Sequence, residues 1–586
     1  MPRCFRAADS AKVLLLAVVL ALSSVLTSGC DYASREPVAT PSGTMLHGDL
    51  PVAPSRGALA RAVPEADSAR PASDGLAAEE ITAEKAAILD NVVKLIQTGA
   101  LNPRGQNFAI ATKNLNQFFS GTKPADYQLD SPAREFLVSA QLLPEQIASL
   151  ESPLWSLVDA RHVEDCMMYQ TIATRVAGVG NDLSRVRRIF DWLVGQIQLA
   201  PAGSLGSTEL GQAYARPYDV LIRGLATEEK GYWSERGWLF LSLCRQIGLD
   251  GGLITYTPPG GKEPVIWCTA ILIDKTPYLF DTHIGLPVPS ASGDGVATLS
   301  EAMNDPSILA RLELPGRLPY PTTSAVLKGS PSKIGVLLDS SLRYFAPRMK
   351  LLQRSLAGKN FTILYRDPAQ QRDHWLEALG PDAGTVGLWD LPMNVERQLF
   401  GNPKFVASTE QALFLFQPRF PLLYARLKQL RGEFPDAIHD YVNFRFAERA
   451  LEMDRKTPII PPVQMALDVY ATYFLGTCHL EQNNPAKAQF FFEKTLEMLP
   501  EYGPGQPYFA MFRWGAQTNL ARLHEAKGES AKAAAYYSAR DLTTQRQGDL
   551  VRAQALVWRN PFAPPGPVLP APPKELFGAG PQAPKP

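Results

Sequence analysis

A thiol, a carboxylate and an imidazole lie within one short stretch of this 586-residue chain, as Cys268, Asp281 and His283. Brought together, those types support acyl transfer. A thiolate attacks a carbonyl, an imidazole takes the thiol proton, and a carboxylate orients the imidazole. Ser234, at the start of an apolar helix, would need the same kind of base, yet no histidine stands between His162 and His283. Cys244 falls about three turns into that helix, beyond reach of the helix-end field that activates a cysteine. Strict alternation along the strand puts Cys268 on the face opposite Val265. The cysteines Cys166, Cys244, Cys268 and Cys478 show no CxxC or other metal spacing, so no metal or cofactor is expected. Cys244 with Cys268 is the best disulfide candidate; four buried thiols are the alternative.

Several elements must position these groups. NDLSRVRRIFDWLVGQIQL predicts an amphipathic helix with Asp182 as N-cap and one stripe from Val186 to Ile197. GYWSERGWLFLSLCRQIGLDGGLITY predicts a buried helix capped by Ser234 and ended by Gly248, then a strand over Leu253 to Tyr256. Strands follow over Val265 to Ile273 and Tyr278 to Asp281, joined by a tight Asp274-Lys275 turn. The order is helix, helix, antiparallel meander.

This arrangement resembles the transglutaminase-like superfamily, a papain-related fold. Gly231, Trp233, Leu243, Arg245, Gly248, Trp267 and Phe280-Asp281-Thr282 stand in register with its motif over residues 181–290. The resemblance implies a catalytic cysteine where this chain has Trp233, a histidine where it has Val265, and a carboxylate at Asp281. Two of the three roles are vacant, because an indole is no nucleophile and valine takes no proton. The resemblance thus implies a non-catalytic domain, in which Trp233 packs the old cleft, or in which Trp233, Trp267 and Asp281 bind extended peptide or glycan. The alternative is a cysteine peptidase or acyltransferase using the displaced pair Cys268 and His283.

A second pattern recurs downstream. ARLKQLRGEFPDAIHDY from Ala425 and ARLHEAKGESAKAAAYY from Ala521 share identical offsets, and Gly476, Ala488 and Phe492 keep the same steps between them. These units resemble tetratricopeptide repeats, in which small residues let paired helices approach closely. Their spacings, about 51 and 45 residues, exceed the usual ~34, and His479 and His524 stand where an aromatic is usual. A generic array of helical hairpins is the plainer alternative. Such stacks offer a concave surface to a protein or peptide.

Lys+Arg and Asp+Glu balance at 58 each, which excludes a net field for nucleic acid. Arg3, Arg6 and Lys12 precede an apolar run from Val13 to Val25, and LTSGC ends at Cys30. That segment resembles a bacterial lipobox with Leu26 one place early. It implies lipidation of Cys30, anchoring in the cell envelope, and a membrane partner; a plain secretory signal is the alternative. The expected organisation is α+β and multidomain: signal peptide 1–30, flexible linker 31–77, helical lead-in 78–180, transglutaminase-like core 181–290, mixed α/β region 291–415, helical repeats 416–550 and a proline-rich tail 560–586. The expected role is protein or peptide binding, or assembly.

Overall fold

The computed structural model describes residues 83–559 apart from 102–104, 201–214, 230–232, 294, 315–317, 330–333, 357, 381–383, 444, 446–461, 500–506 and 540–542. The expected signal peptide, linker and tail therefore lie outside the described residues. The architecture is α+β, and the described residues from Ala87 onward form one compact unit.

The lead-in is helical: α1 (Ala83–Gln97), α2 (Gln106–Phe118), α3 (Ser131–Ser139), α4 (Pro144–Leu150) and the long α5 (Leu157–Ala177). α1 buries one face through Leu89, Val92, Val93 and Ile96, at helical spacing. α6 (Asp182–Gln196) follows. Its cap is Asn181, whose side chain accepts from the Ser184 N–H at 2.9 Å, one residue before the expected Asp182. Asp182 instead pairs with Arg185 at 2.8 Å in the first turn.

A small sheet of β1 (Gln198–Ala200), β2 (Leu225–Glu229) and β3 (Trp233–Ser234) frames α7 (Pro217–Arg223) and leads into α8 (Glu235–Gln246). Beyond it run β4 (Gly251–Tyr256), β5 (Val265–Ile273), β6 (Thr276–Asp281) and β7 (Leu286–Pro287). The turn between β5 and β6 has Asp274 and Lys275 at φ 49° and 61°, the left-handed pair of a two-residue hairpin. The main sheet also holds β8 (Ile334–Asp339), then α9 (Pro347–Ser355), α10 (Pro368–Leu379) and β9 (Val386–Trp389), in the order β7-β6-β5-β4-β8-β9. Within this main sheet every pairing is antiparallel except β8 with β9, which α9 and α10 join as a crossover.

Within the expected mixed α/β region, the segment FTILYRD (361–367), rich in strand-forming residues, forms no strand. Its backbone is satisfied by side chains instead: Gln246 bonds Ile363 on both sides, and Gln353 Oε1 accepts from the Leu364 and Tyr365 N–H groups. With its ladder groups occupied, the segment has nothing to offer a neighbouring strand.

After α11 (Asp390–Gly401) and α12 (Pro403–Ala412) come three helical hairpins: α13 (Pro421–Arg431) with α14 (Phe434–Asn443), α15 (Pro462–Glu481) with α16 (Pro485–Met498), and α17 (Pro507–Ala526) with α18 (Ser530–Tyr537). α19 (Gln545–Arg559) closes the chain. The offsets seen in the sequence recur as contacts. Gly432, Asn483 and Gly528 end the three first helices at φ 84°, 54° and 76°. Five residues on, Ala437, Ala488 and Ala533 are fully buried, and Tyr441, Phe492 and Tyr537 are buried four residues later. Gly476 faces Phe492 so closely that a Cβ there would lie 2.6 Å from the ring. His479 stacks on Phe491 and His524 on Tyr536, both at 5.4 Å. Lys428 with Asp440, 2.7 Å apart, fills the equivalent place in the first hairpin. One hydrophobic cluster runs from α5, α6 and α8 through all three hairpins, across the expected limits at 181 and 416.

Candidate functional site

Ser234 caps α8, its Oγ accepting the Gly237 N–H at 2.9 Å and standing 3.1 Å from Thr282 Oγ1. A Cβ at Gly237 would meet Thr269 Cγ2 at 3.2 Å, so β5 reaches the helix start through Thr269. Trp233 contributes backbone to β3, paired with Glu229; its side chain lies outside the described residues. The β4–β5 register slips between Ile254, opposite Cys268, and Thr255, opposite Ile266, leaving Trp267 as a bulge. The bulge reverses the alternation. Val265 and Cys268, offset by three, therefore pack into the same cluster on the sheet face away from α8, which corrects the opposite-face expectation. Ile271 and Ile273 join the α8 cluster on the other side.

Asp281 and Trp267 meet through Tyr320. The Tyr320 hydroxyl donates to Asp281 Oδ2 at 2.7 Å and accepts from Trp267 Nε1 at 3.0 Å. Asp281 Oδ1 takes the His283 and Ile284 N–H groups at 2.9 and 3.2 Å. Both side chains are buried, so they form interior structure and offer no open stacking surface. Burial first, then the Asp281 charge, pushes the Cys268 thiol well above its ordinary value. Cys166, Cys244, Cys268 and Cys478 are all free and buried, and the Cys244–Cys268 bridge is not formed. The two belong to different clusters.

The start of α8 and the loop after β6 are covered by α19 and the residues that enter it. Gln545 accepts from Arg236 at 2.7 Å, and Thr544 donates to the His283 carbonyl at 2.9 Å. Gly548 packs directly on the Ile284 carbonyl, where a Cβ would overlap it. Arg236 is itself buried and donates to the carbonyls of Ile197 and Thr282. The last helix and the residues entering it thus pack over Arg236, His283 and Ile284, next to Ser234 and Thr282.

A cavity of about 80 Å³ opens elsewhere, between α5, the start of α7, α8, the loop after β8 and α11. Arg161, His162, Asp165, Arg216, Arg343 and Glu396 supply its polar lining. Arg216 binds Asp219 through two nitrogens at 3.1 and 3.2 Å and Asp165 at 3.2 Å. Arg343 reaches Glu396 and Ser149, both at 3.2 Å. Burial lowers His162 to about 4, and its Nε2 sits 3.0 Å from the Leu364 carbonyl. Burial raises the Asp165 carboxyl to about 6 against the pull of Arg216. Cys166 lies 3.7 Å from His162 Nε2, but burial drives its thiol far up, so no thiolate forms there. Only the i, i+4 step from Arg161 to Asp165 and from His162 to Cys166 marks α5 in the sequence; Arg216 and Arg343 arrive from distant segments.

Among the described residues no group of three or more His, Cys, Asp or Glu could hold a metal ion, and no helix is long and apolar enough to cross a membrane. Comparison with protein-family models, with curated proteins and with solved structures found no match to this chain.

Proposed function

We propose that the chain is a non-catalytic binding or assembly factor of the cell envelope, tethered through a lipidated Cys30. In this reading a degenerate transglutaminase-like core braces tetratricopeptide-like hairpins, which hold a protein or peptide partner. The observation that supports it is the seating of α19 on Arg236, His283 and Ile284. A catalytic centre must admit substrate to the helix start and keep a carboxylate for its base. Here that approach is covered, and Asp281 is spent on Tyr320 and two backbone N–H groups. The core then serves as a strut, and the hairpins offer apolar surface such as Phe490, 59% exposed on α16.

The test is enzymatic and chemical. The purified chain should neither hydrolyse peptide amides nor exchange them with a primary amine. Cys268 should resist a mild electrophile at neutral pH until the protein is unfolded, as read by mass spectrometry of the labelled peptide. Hydrolysis or amine exchange that disappears with Cys268→Ala or His283→Ala alone would overturn the reading in favour of an enzyme using displaced residues.

A further inference from the structure

The cavity beside α5 holds one cation without an ion pair among the described residues and two paired groups that each keep an unsatisfied polar atom. Arg161 stands exposed at the rim and makes no ion pair or hydrogen bond among the described residues. Arg343 is 8% exposed, and its Nε has no acceptor. Asp165 Oδ1 is buried and has no donor. A buried polar atom without a partner is costly, so two of them on one cavity call for a ligand that supplies both kinds of bond.

Charge and size narrow the choice. Arg216 is already paired with Asp165 and Asp219 and Arg343 with Glu396 and Asp159, so Arg161 is the lining guanidinium left without an ion pair among the described residues, and His162 is uncharged near neutral pH. That balance suits a monoanion, whereas a phosphate dianion would be repelled by Asp165 and Glu396. The walls between the charges are apolar, from Trp238, Tyr169, Val395 and Leu399. At about 80 Å³ the space is smaller than the roughly 150 Å³ cavity that accepts benzene. It admits one small residue.

We propose that this cavity binds the C-terminal residue of a short peptide. The carboxylate accepts from Arg161 and Arg343, the terminal amide N–H donates to Asp165 Oδ1, and a small side chain lies against Trp238. Planar guanidinium matches carboxylate geometry, which gives the site its preference for a free chain end. The site is separate from the start of α8 and from the hairpins, so it stands whether or not the chain is catalytic.

Calorimetry on the full chain tests it, with Gly-Gly and Ala-Ala as probes and their C-terminal amides and inorganic phosphate as controls. The dipeptides should bind at millimolar concentration or below. Amidation, or Arg161→Ala, should weaken binding about tenfold or more, roughly the loss of one charge-assisted contact. Arg161 is exposed and unbonded, so its replacement leaves the fold intact. No binding by either dipeptide, equal binding by acid and amide, unchanged binding by Arg161→Ala, or binding by phosphate alone would each overturn the proposal.

Discussion

At the residue scale, burial has moved two neighbouring protons in opposite directions. His162 gains its proton near 4 in the folded chain against 6.5 unfolded, so acidification from 6.5 to 4 favours unfolding. Asp165 keeps its proton up to about 6 against 3.8 unfolded, so acidification from 6 to 4 favours folding. In the native chain these effects largely cancel. Asp165→Asn removes the compensation; its stability, relative to the native chain, should fall by of order 3 kcal/mol as pH drops through that window. His162→Gln should do the reverse and lose a similar amount as pH rises from 4 to 6. Urea titrations across the window check this, and parallel pH curves for all three proteins would refute it. Single residues also show where the sequence was legible. Ser234 caps α8 as its position before the apolar run implies, but Trp267 hides a bulge that no periodicity marks, and the bulge decides which way Val265 and Cys268 point.

At the element scale, α19 is the piece whose position matters most. It rests on the Ile284 carbonyl through Gly548, the one residue that brings no Cβ to the contact. Gly548→Ala should gain helix propensity, up to about 1 kcal/mol, yet lose more by pushing the helix off a backbone atom that cannot rotate away. A net loss of roughly 1–2 kcal/mol is expected, with faster amide exchange over 283–286 and the first turn of α19. A more stable variant with unchanged exchange would show that the helix does not bear on that loop. The hairpins were legible as elements because small and aromatic residues recur at fixed steps, and those steps become the Gly476–Phe492 and His–aromatic contacts. FTILYRD was not, since Gln246 and Gln353, far off in sequence, take its backbone bonds.

At the scale of the whole molecule, the core and the hairpins share one interior. Glu481, at the end of α15, accepts from Trp192 at 2.8 Å and Gln196 at 3.1 Å on α6, and from Arg175 on α5. Tyr473 and Asn519 reach Gln198 and the Gly195 carbonyl from two different hairpins. Glu481→Ala would strand these donors and leave Arg175 without its carboxylate, a loss of about 3 kcal/mol or more. Because the cluster is continuous, far-ultraviolet dichroism and tryptophan fluorescence should still report coincident urea transitions, both shifted to lower denaturant. Separated midpoints would mean the hairpins unfold alone.

What depends on neighbours along the chain could be read before folding: the stripe of α6, the Asp274-Lys275 turn, the meander and the repeat steps. Features that need residues far apart in sequence to meet came only with the folded chain. Those are the parallel β8–β9 edge, the seating of α19 on Arg236 from some 310 positions downstream, and the charged cavity assembled from α5, Arg216, Arg343 and Glu396. Periodicity records which face of an element avoids water. It carries no information on which distant charge will share that face, because the free energy of the pairing appears only once the chain has closed the loop between the two.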